Sequence, residues 1–365
     1  MSLPFLDLAV DLVWLRGLNM THVVIVAVFY FLWRLPGQTH PLEGEDSVVW
    51  YDAVQSHETA IHDDESSPVL KPAISTEDEA YLIAQVPEST EAERWRFWTA
   101  KNRHRVTAAR ALRIYTDWRI EHEQVLAKTT KKSSISTRTS STATTDGPTL
   151  TADELAWQEA SFIALAVHQE KRTTSLPKIA HLHVLQTSSQ HDSDSSTQEP
   201  NNNNIDYRRD LQGRRLLHFL PGRMDDRLAS TVTYATAVAL YVDRCLSRET
   251  TECVTVVIDA RGGHGWRNLN AAQLLPFIQL LSRLMLTMFP QRLGRALVFP
   301  IPPRFFWVWR MARQCIDPAT REKIKPLTGP SMIDSPPPLE QMAEYIGVDN
   351  AQYLESFRRS EFRKQ

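Results

Sequence analysis

Two short apolar runs joined by an amphipathic stretch constrain this chain more than any other feature. Val254–Asp259 (VTVVID) and Ala296–Phe299 (ALVF) are rich in branched or aromatic residues and bounded by loop signals. Between them Phe277, Ile278, Leu281, Leu284, Met285 and Met288 recur mostly three or four apart, the spacing of one buried helical face, with Pro276 near the helix start. Strand, helix and strand within about 45 residues form a βαβ unit, which requires a largely parallel sheet covered by helices. Leu216–Leu220 (LLHFL) supplies an earlier strand. The expected class is α/β.

Upstream the pattern turns helical. Thr76-Glu-Asp-Glu79 and Thr90-Glu-Ala-Glu93 both have the spacing of a capping box, in which a hydroxyl and a carboxylate satisfy free amides of a first turn. The stretch 93–128 lacks Gly and Pro, and Phe97, Ala100, Ala108, Ala111, Leu112, Tyr115 and Trp118 mark one apolar face. A helical subdomain over 76–128 follows. Twelve of the seventeen residues from Thr129 to Thr145 are Ser or Thr, so 129–150 reads as a disordered insert. Thr151-Ala-Asp-Glu154 restarts a helix with Leu155, Phe162, Ile163 and Val167 as its apolar side, giving a helical extension over 151–186. No hydrophobic residue occurs from Thr187 to Asn204, so 187–205 reads as a polar linker. The α/β domain spans 206–350, and 351–365 reads as a basic tail.

The chemistry-bearing motifs are few. In 365 residues Lys plus Arg number 41 and Asp plus Glu 43, so no global positive field draws the chain to nucleic acid. Three cysteines (Cys245, Cys253, Cys315) with no CxxC support neither a disulfide scaffold nor a structural zinc site. His57, His62 and Asp63 are conceivable metal ligands, but the spacing is HExxxH, whose positions five apart do not share a helix face well, and they fall in an acidic linker over 36–75. Arg261-Gly-Gly-His-Gly265 lacks the GxGxxG and GK[ST] patterns of nucleotide sites and reads as a tight turn leaving a strand. No GxSxG elbow and no Ser/His/Asp grouping stands out. No enzyme, cofactor or metal site is expected.

Two segments point toward a bilayer. Gly17 to Trp33 carries no charge, and its seventeen residues give a helix of about 25 Å, slightly under a hydrocarbon core. Trp14 and Trp33 near its ends suit the interfacial belt. Residues 1–35 are therefore expected to form a membrane anchor that leaves the α/β domain facing the cytosol. The second segment follows Pro300-Ile-Pro-Pro303: Phe305, Phe306, Trp307, Val308, Trp309, Met311, Cys315 and Ile316 make it apolar nearly all round. Such a helix is either core or has two greasy faces, one toward a cavity and one toward a membrane. Asp317-Pro318 then caps a short helix bearing Thr320 and Lys323 three apart, a pairing suited to a phosphate.

VTVVIDARGG (254–263), FPQRLGRALVFPIPPRF (289–305) and CIDPATREKI (315–324) resemble, in order and spacing, the CRAL-TRIO lipid-binding domain of yeast-type phosphatidylinositol-transfer proteins. RFWTAKNRHRVTAARALRIYTDWR (96–119) is similar to that family's N-terminal helical subdomain. Asp210-Leu-Gln-Gly-Arg214 resembles its opening loop and Glu344-Tyr-Ile-Gly347 its closing motif. The resemblance implies a mixed, largely parallel sheet with an apolar pocket holding one lipid behind a mobile helical gate. It assigns pocket and gate positions to Phe305, Phe306, Trp307, Trp309, Met311 and Ile316, and headgroup contacts to Lys101, Thr320 and Lys323. Asn102 and Gln291 depart from the inositol-lipid pattern. The expected function is a membrane-associated lipid-binding or lipid-transfer protein taking one phospholipid, phosphatidylinositol among the candidates, or another apolar ligand. The alternative is a membrane-tethered adaptor that senses lipid or docks a protein without exchange.

Overall fold

A computed structural model describes residues 73–136, 151–170, 175–185, 206–269, 271–301, 303, 318–330, 332–333 and 335–363. The charge-free segment 17–33 and the aromatic segment 305–316 lie outside them. Among the described residues no helix is long and apolar enough to cross a membrane.

Among the described residues three helices come first: α1 (Thr76–Gln85), α2 (Glu91–Ala100) and α3 (Arg105–Ser136). Thr90 caps α2 by accepting from the Glu93 amide, while the Glu93 carboxylate accepts from the Thr90 amide. At α1 the capping residue is Ser75, not Thr76, and its hydroxyl accepts from the Asp78 amide at 3.1 Å. The expected unbroken face over 93–128 is interrupted. Asn102 and Arg103 adopt left-handed φ values of 50° and 63°, which end α2 and turn the chain into α3. The long helix also runs to Ser136, into the Ser/Thr tract assigned to a disordered insert.

Helix α4 (Ala152–Val167) starts on the expected box at Thr151, but its buried face differs from the one expected. Of the expected side Ile163 is buried, but Leu155, Phe162 and Val167 are exposed, and Trp157, Ala160 and Ala164 are buried in their place. The small alanines let α4 pack closely on α5 (Thr231–Cys245), itself lined by Ala235, Ala237 and Ala239. The described residues that follow α4 within 151–186 do not continue the expected helical extension. Ala180–Leu182 forms β1, pairing antiparallel with β2 (Arg215–Phe219).

The sheet has five strands in the order β1-β2-β3-β4-β5, with β3 at Val254–Asp259, β4 at Leu293–Ile301 and β5 at Ile324–Thr328. All pairings from β2 to β5 are parallel. Helix α6 (Ala271–Met288) links β3 to β4 and begins five residues before Pro276, so the proline lies inside it. Helix α7 (Pro318–Lys323) leads into the edge strand β5. There Pro326, paired with Val298, is tolerated because an edge strand has only one ladder to satisfy.

Helices α8 (Leu339–Ile346) and α9 (Val348–Arg363) close the opposite face of the sheet. The segment 351–365, read as a basic tail, therefore belongs largely to a core helix. Ala351 and Leu354 are buried, and so are Arg358 and Glu361 because each has an ionic partner. Leu216, Val257, Leu297, Phe299 and Leu327 meet Met342, Ile346, Ala351 and Leu354 across this layer.

Candidate functional site

The strand alternation separates a sealed face from an open one. Toward α8 and α9, the inward residues Leu216, Val257, Leu297, Phe299 and Leu327 are each at most 3% exposed. On the other face β3 presents Val254, Val256 and Ile258. Val256 and Ile258 are only half-buried, although β3 is the middle strand of five. Ile324 and Pro326 on β5 are half-buried on that same side, around buried Ala296 and Val298 of β4. A middle strand normally disappears under its crossover helices. Here α6 packs its backbone mostly along α5 and α3. Its Ile278, Leu281, Leu284 and Met285 stay half-buried. β3, β4 and β5 thus present an apolar floor, and Val256 and Ile258 pack with Ile278, Leu281, Leu284 and Met285 against one apolar cluster while remaining half-buried.

The helical subdomain is fixed to the end of α5 and the loop after it. Arg248 donates to Glu93 from Nε at 2.7 Å and from Nη2 at 2.9 Å, and the Arg248 carbonyl accepts from the Thr90 hydroxyl. Burial pushes the Glu93 carboxyl up, but the bonds from Arg248 and the Thr90 amide outweigh it and hold the pKa below the usual range. Tyr115 and Arg119 of α3 both donate to Asp243 on α5, at 2.9 and 2.8 Å. Phe97, Tyr115, Trp118 and Phe289 pack as an aromatic cluster beside them. Beneath it Arg96 is 1% exposed, and Arg292 close by has its pKa pushed down to about 10, chiefly by burial and then by Arg96.

The headgroup positions implied by resemblance fall on two separate elements. Lys101 caps the C-terminus of α2, its amide bonding the Phe97 carbonyl at 3.1 Å, and burial lowers its ammonium pKa. Thr320 and Lys323 lie on α7, Lys323 as its half-buried last residue before β5. Asn102 occupies one of the two left-handed positions, a conformation Asn tolerates better than Lys or Arg. Gln291 is also left-handed, and its carbonyl accepts from the Cys253 thiol at 3.1 Å. Phe305, Phe306, Trp307, Trp309, Met311 and Ile316 lie outside the described residues.

The remaining motifs are architectural. Asp210 accepts from the amides of Gln212 and Arg214, from Arg214 Nε and from the Thr255 hydroxyl at 2.6 Å, pinning the loop before β2 to β3. The Leu211 amide then bonds the Tyr345 carbonyl, so the opening and closing motifs touch. In the glycine-rich turn, a Cβ on Gly262 would strike the Asn268 side chain at 2.6 Å and one on Gly263 the Phe362 ring at 1.9 Å. Both glycines serve close packing. Among the described residues no group of His, Cys, Asp and Glu could hold a metal ion.

Residues 202–351 match the CRAL/TRIO domain family. The match covers the four parallel strands, α5 to α8 and the first turn of α9, and includes both faces just described. No curated protein matches the chain significantly. CRAL/TRIO domains bind or transfer lipophilic ligands, and the apolar floor on β3, β4 and β5 lies within the matched residues. Sequence reasoning identified β2, β3 and β4 but neither β1 nor β5, and not the contrast between the two faces. The alternation in VTVVID was the available signal.

Proposed function

We propose that this protein encloses one phospholipid, or another apolar ligand, between the β3–β5 floor and α6, and exchanges it at a membrane surface without covalent chemistry. The half-burial of Val256 and Ile258 on a middle strand carries this reading. A chain of about sixteen methylenes moved through water exposes roughly 13 kcal/mol of hydrophobic cost at about 0.8 kcal/mol each, so exchange needs a dry cavity of comparable chemistry. In this reading the segment 305–316 is the gate, with Phe305, Phe306, Trp307, Trp309, Met311 and Ile316 facing cavity or bilayer. Lys101, Thr320 and Lys323 hold the headgroup, as in yeast-type phosphatidylinositol-transfer proteins, and 76–128 acts as that family's helical subdomain. Residues 17–33 anchor the protein with its α/β domain on the cytosolic side.

Mass spectrometry of lipid carried by the purified protein, followed by transfer between liposomes of labelled phosphatidylinositol, phosphatidylcholine and sterol, tests this directly. Ile258→Trp should fill the floor and cut transfer at least about 10-fold, the equivalent of 1.4 kcal/mol, while leaving the fold intact. Lys323→Ala should weaken inositol-lipid binding selectively. No bound lipid and no transfer, or wild-type transfer by Ile258→Trp, would overturn the reading.

A tethered adaptor is the second reading, favoured by the charge-free run at 17–33. The 36–75 linker would then serve as a flexible leash. Pelleting that resists carbonate, together with tight lipid retention and no transfer, is the result expected of it. Release by carbonate excludes the tether.

A further inference from the structure

A cavity of about 280 Å³ opens beside the glycine-rich turn after β3, on the α9 side of the molecule and away from the apolar floor. Glu355, Arg358, Arg359, Phe362 and Arg363 line it, spaced so that they share one face of α9. Three guanidinium groups thus meet one carboxylate. That carboxylate is already met twice, by Arg261 Nη2 at 2.7 Å and by Arg359 Nε at 2.6 Å. Arg358 is only 6% exposed. Its Nη2 donates to the carbonyls of Gly262 and Ile333, and its Nε lies 3.2 Å from Asp259 without the alignment of a hydrogen bond. The Arg358 guanidinium lies 4.8 Å from the Phe362 ring centroid, which fixes the plane of its fork.

We propose that this cavity binds a phosphate group. Arginine forks match phosphate oxygens in pairs, and a phosphate supplies the acceptors that a buried, incompletely bonded Arg358 lacks. Small-molecule pockets run from roughly 300 to 1,000 Å³, so this one admits a phosphate with a small polar substituent and excludes an acyl chain. Its place on the opposite face of the sheet makes it independent of the lipophilic ligand. The phosphate comes either from a soluble phosphate ester or from a lipid headgroup presented at a bilayer.

Calorimetry on the full chain with inorganic phosphate and inositol hexakisphosphate, at constant ionic strength, tests the soluble source. Flotation with vesicles of phosphatidic acid in phosphatidylcholine, against phosphatidylcholine alone, tests the headgroup. Saturable binding in either arm is expected, weakened at least about 10-fold by Arg359→Gln/Arg363→Gln. Both residues are exposed, so the double variant should keep the parental melting temperature. Arg358→Lys keeps the charge and loses the fork, and should also weaken binding. Absence of saturable binding in both arms overturns the proposal, as does binding that the double variant leaves unchanged.

Discussion

Acidification from pH 7 to pH 5 should cost this protein much of its stability, through three imidazoles buried beneath α9. His181 and His183 of the β1 strand region and His218 of β2 are each at most 4% exposed, and their rings pack against one another and against Phe357. Tyr353 approaches His183 Nδ1 at 3.4 Å, but neither ring nitrogen of His218 has a partner, nor has Nε2 of His181 or His183. The charged groups facing them are cations: Lys178 and Arg223 toward His181, Arg208 and Lys178 toward His183, and Arg261 and Arg358 toward His218. Burial first, and those cations second, hold all three neutral, with His218 pushed down to about 3.

The folded pKa lies below the unfolded value near 6.5, so the unfolded chain takes up protons first as pH falls. Stability is level above about pH 6.5 and then declines by about 1.4 kcal/mol per pH unit for each histidine, down to its folded pKa. At pH 5 His218 alone costs about 2 kcal/mol, and His181 and His183, also held below the usual imidazole range, add to it in the same direction. Urea unfolding at pH 7 and pH 5 should show the midpoint fall. A His181→Leu/His218→Leu variant should recover at least half of the difference. Equal midpoints at the two pH values would show that the imidazoles are not held neutral by this packing.

The same cluster shows why part of the fold was legible in the sequence and part was not. VTVVID announced itself because a middle strand with a sealed core on one face and an apolar floor on the other is apolar at consecutive positions. Ala-His-Leu at 180–182 is too short and too polar to announce anything, and becomes a strand only by pairing with β2. Helix α9 was hidden for an electrostatic reason. Arg358 and Glu361 look like solvated charges in isolation, yet Asp259 and Arg223 meet them inside the molecule. The true face of α4 was obscured by size, since Ala160 and Ala164 make a seam that a search for large apolar residues overlooks. Of the candidate site, the floor was written in the alternation of β3. Lys101, Thr320 and Lys323 rested on resemblance, because nothing local distinguishes a ligand-holding lysine from a solvated one.

Removing Arg261 should be the most damaging single change in the α/β domain. Its side chain is 1% exposed and forks onto Asp259, with Nε to Oδ1 at 2.9 Å and Nη2 to Oδ2 at 2.6 Å. The same Nη2 reaches Glu355 of α9 at 2.7 Å, and Nη1 donates to the Ser335 carbonyl at 2.8 Å. One guanidinium thus ties the end of the middle strand to α9 and to the segment before α8. Burial opposes its charge, yet Asp259 and Glu355 overcome that and raise its pKa. Arg261→Met would leave Asp259, also 1% exposed, with the residue-261 amide and the Arg358 Nε as its remaining partners. Breaking a buried pair from one side costs about 3–5 kcal/mol, because the surviving charge stays desolvated. Arg261→Lys should recover little, since an ammonium cannot reproduce the fork. Arg261→Met/Asp259→Leu should be more stable than Arg261→Met alone, because no orphaned carboxylate remains inside. Chemical denaturation of the three variants gives the comparison. A loss under about 1 kcal/mol for Arg261→Met would place it among ordinary surface substitutions and would mean that apolar packing and the Arg358 and Glu361 ties hold α9 without it.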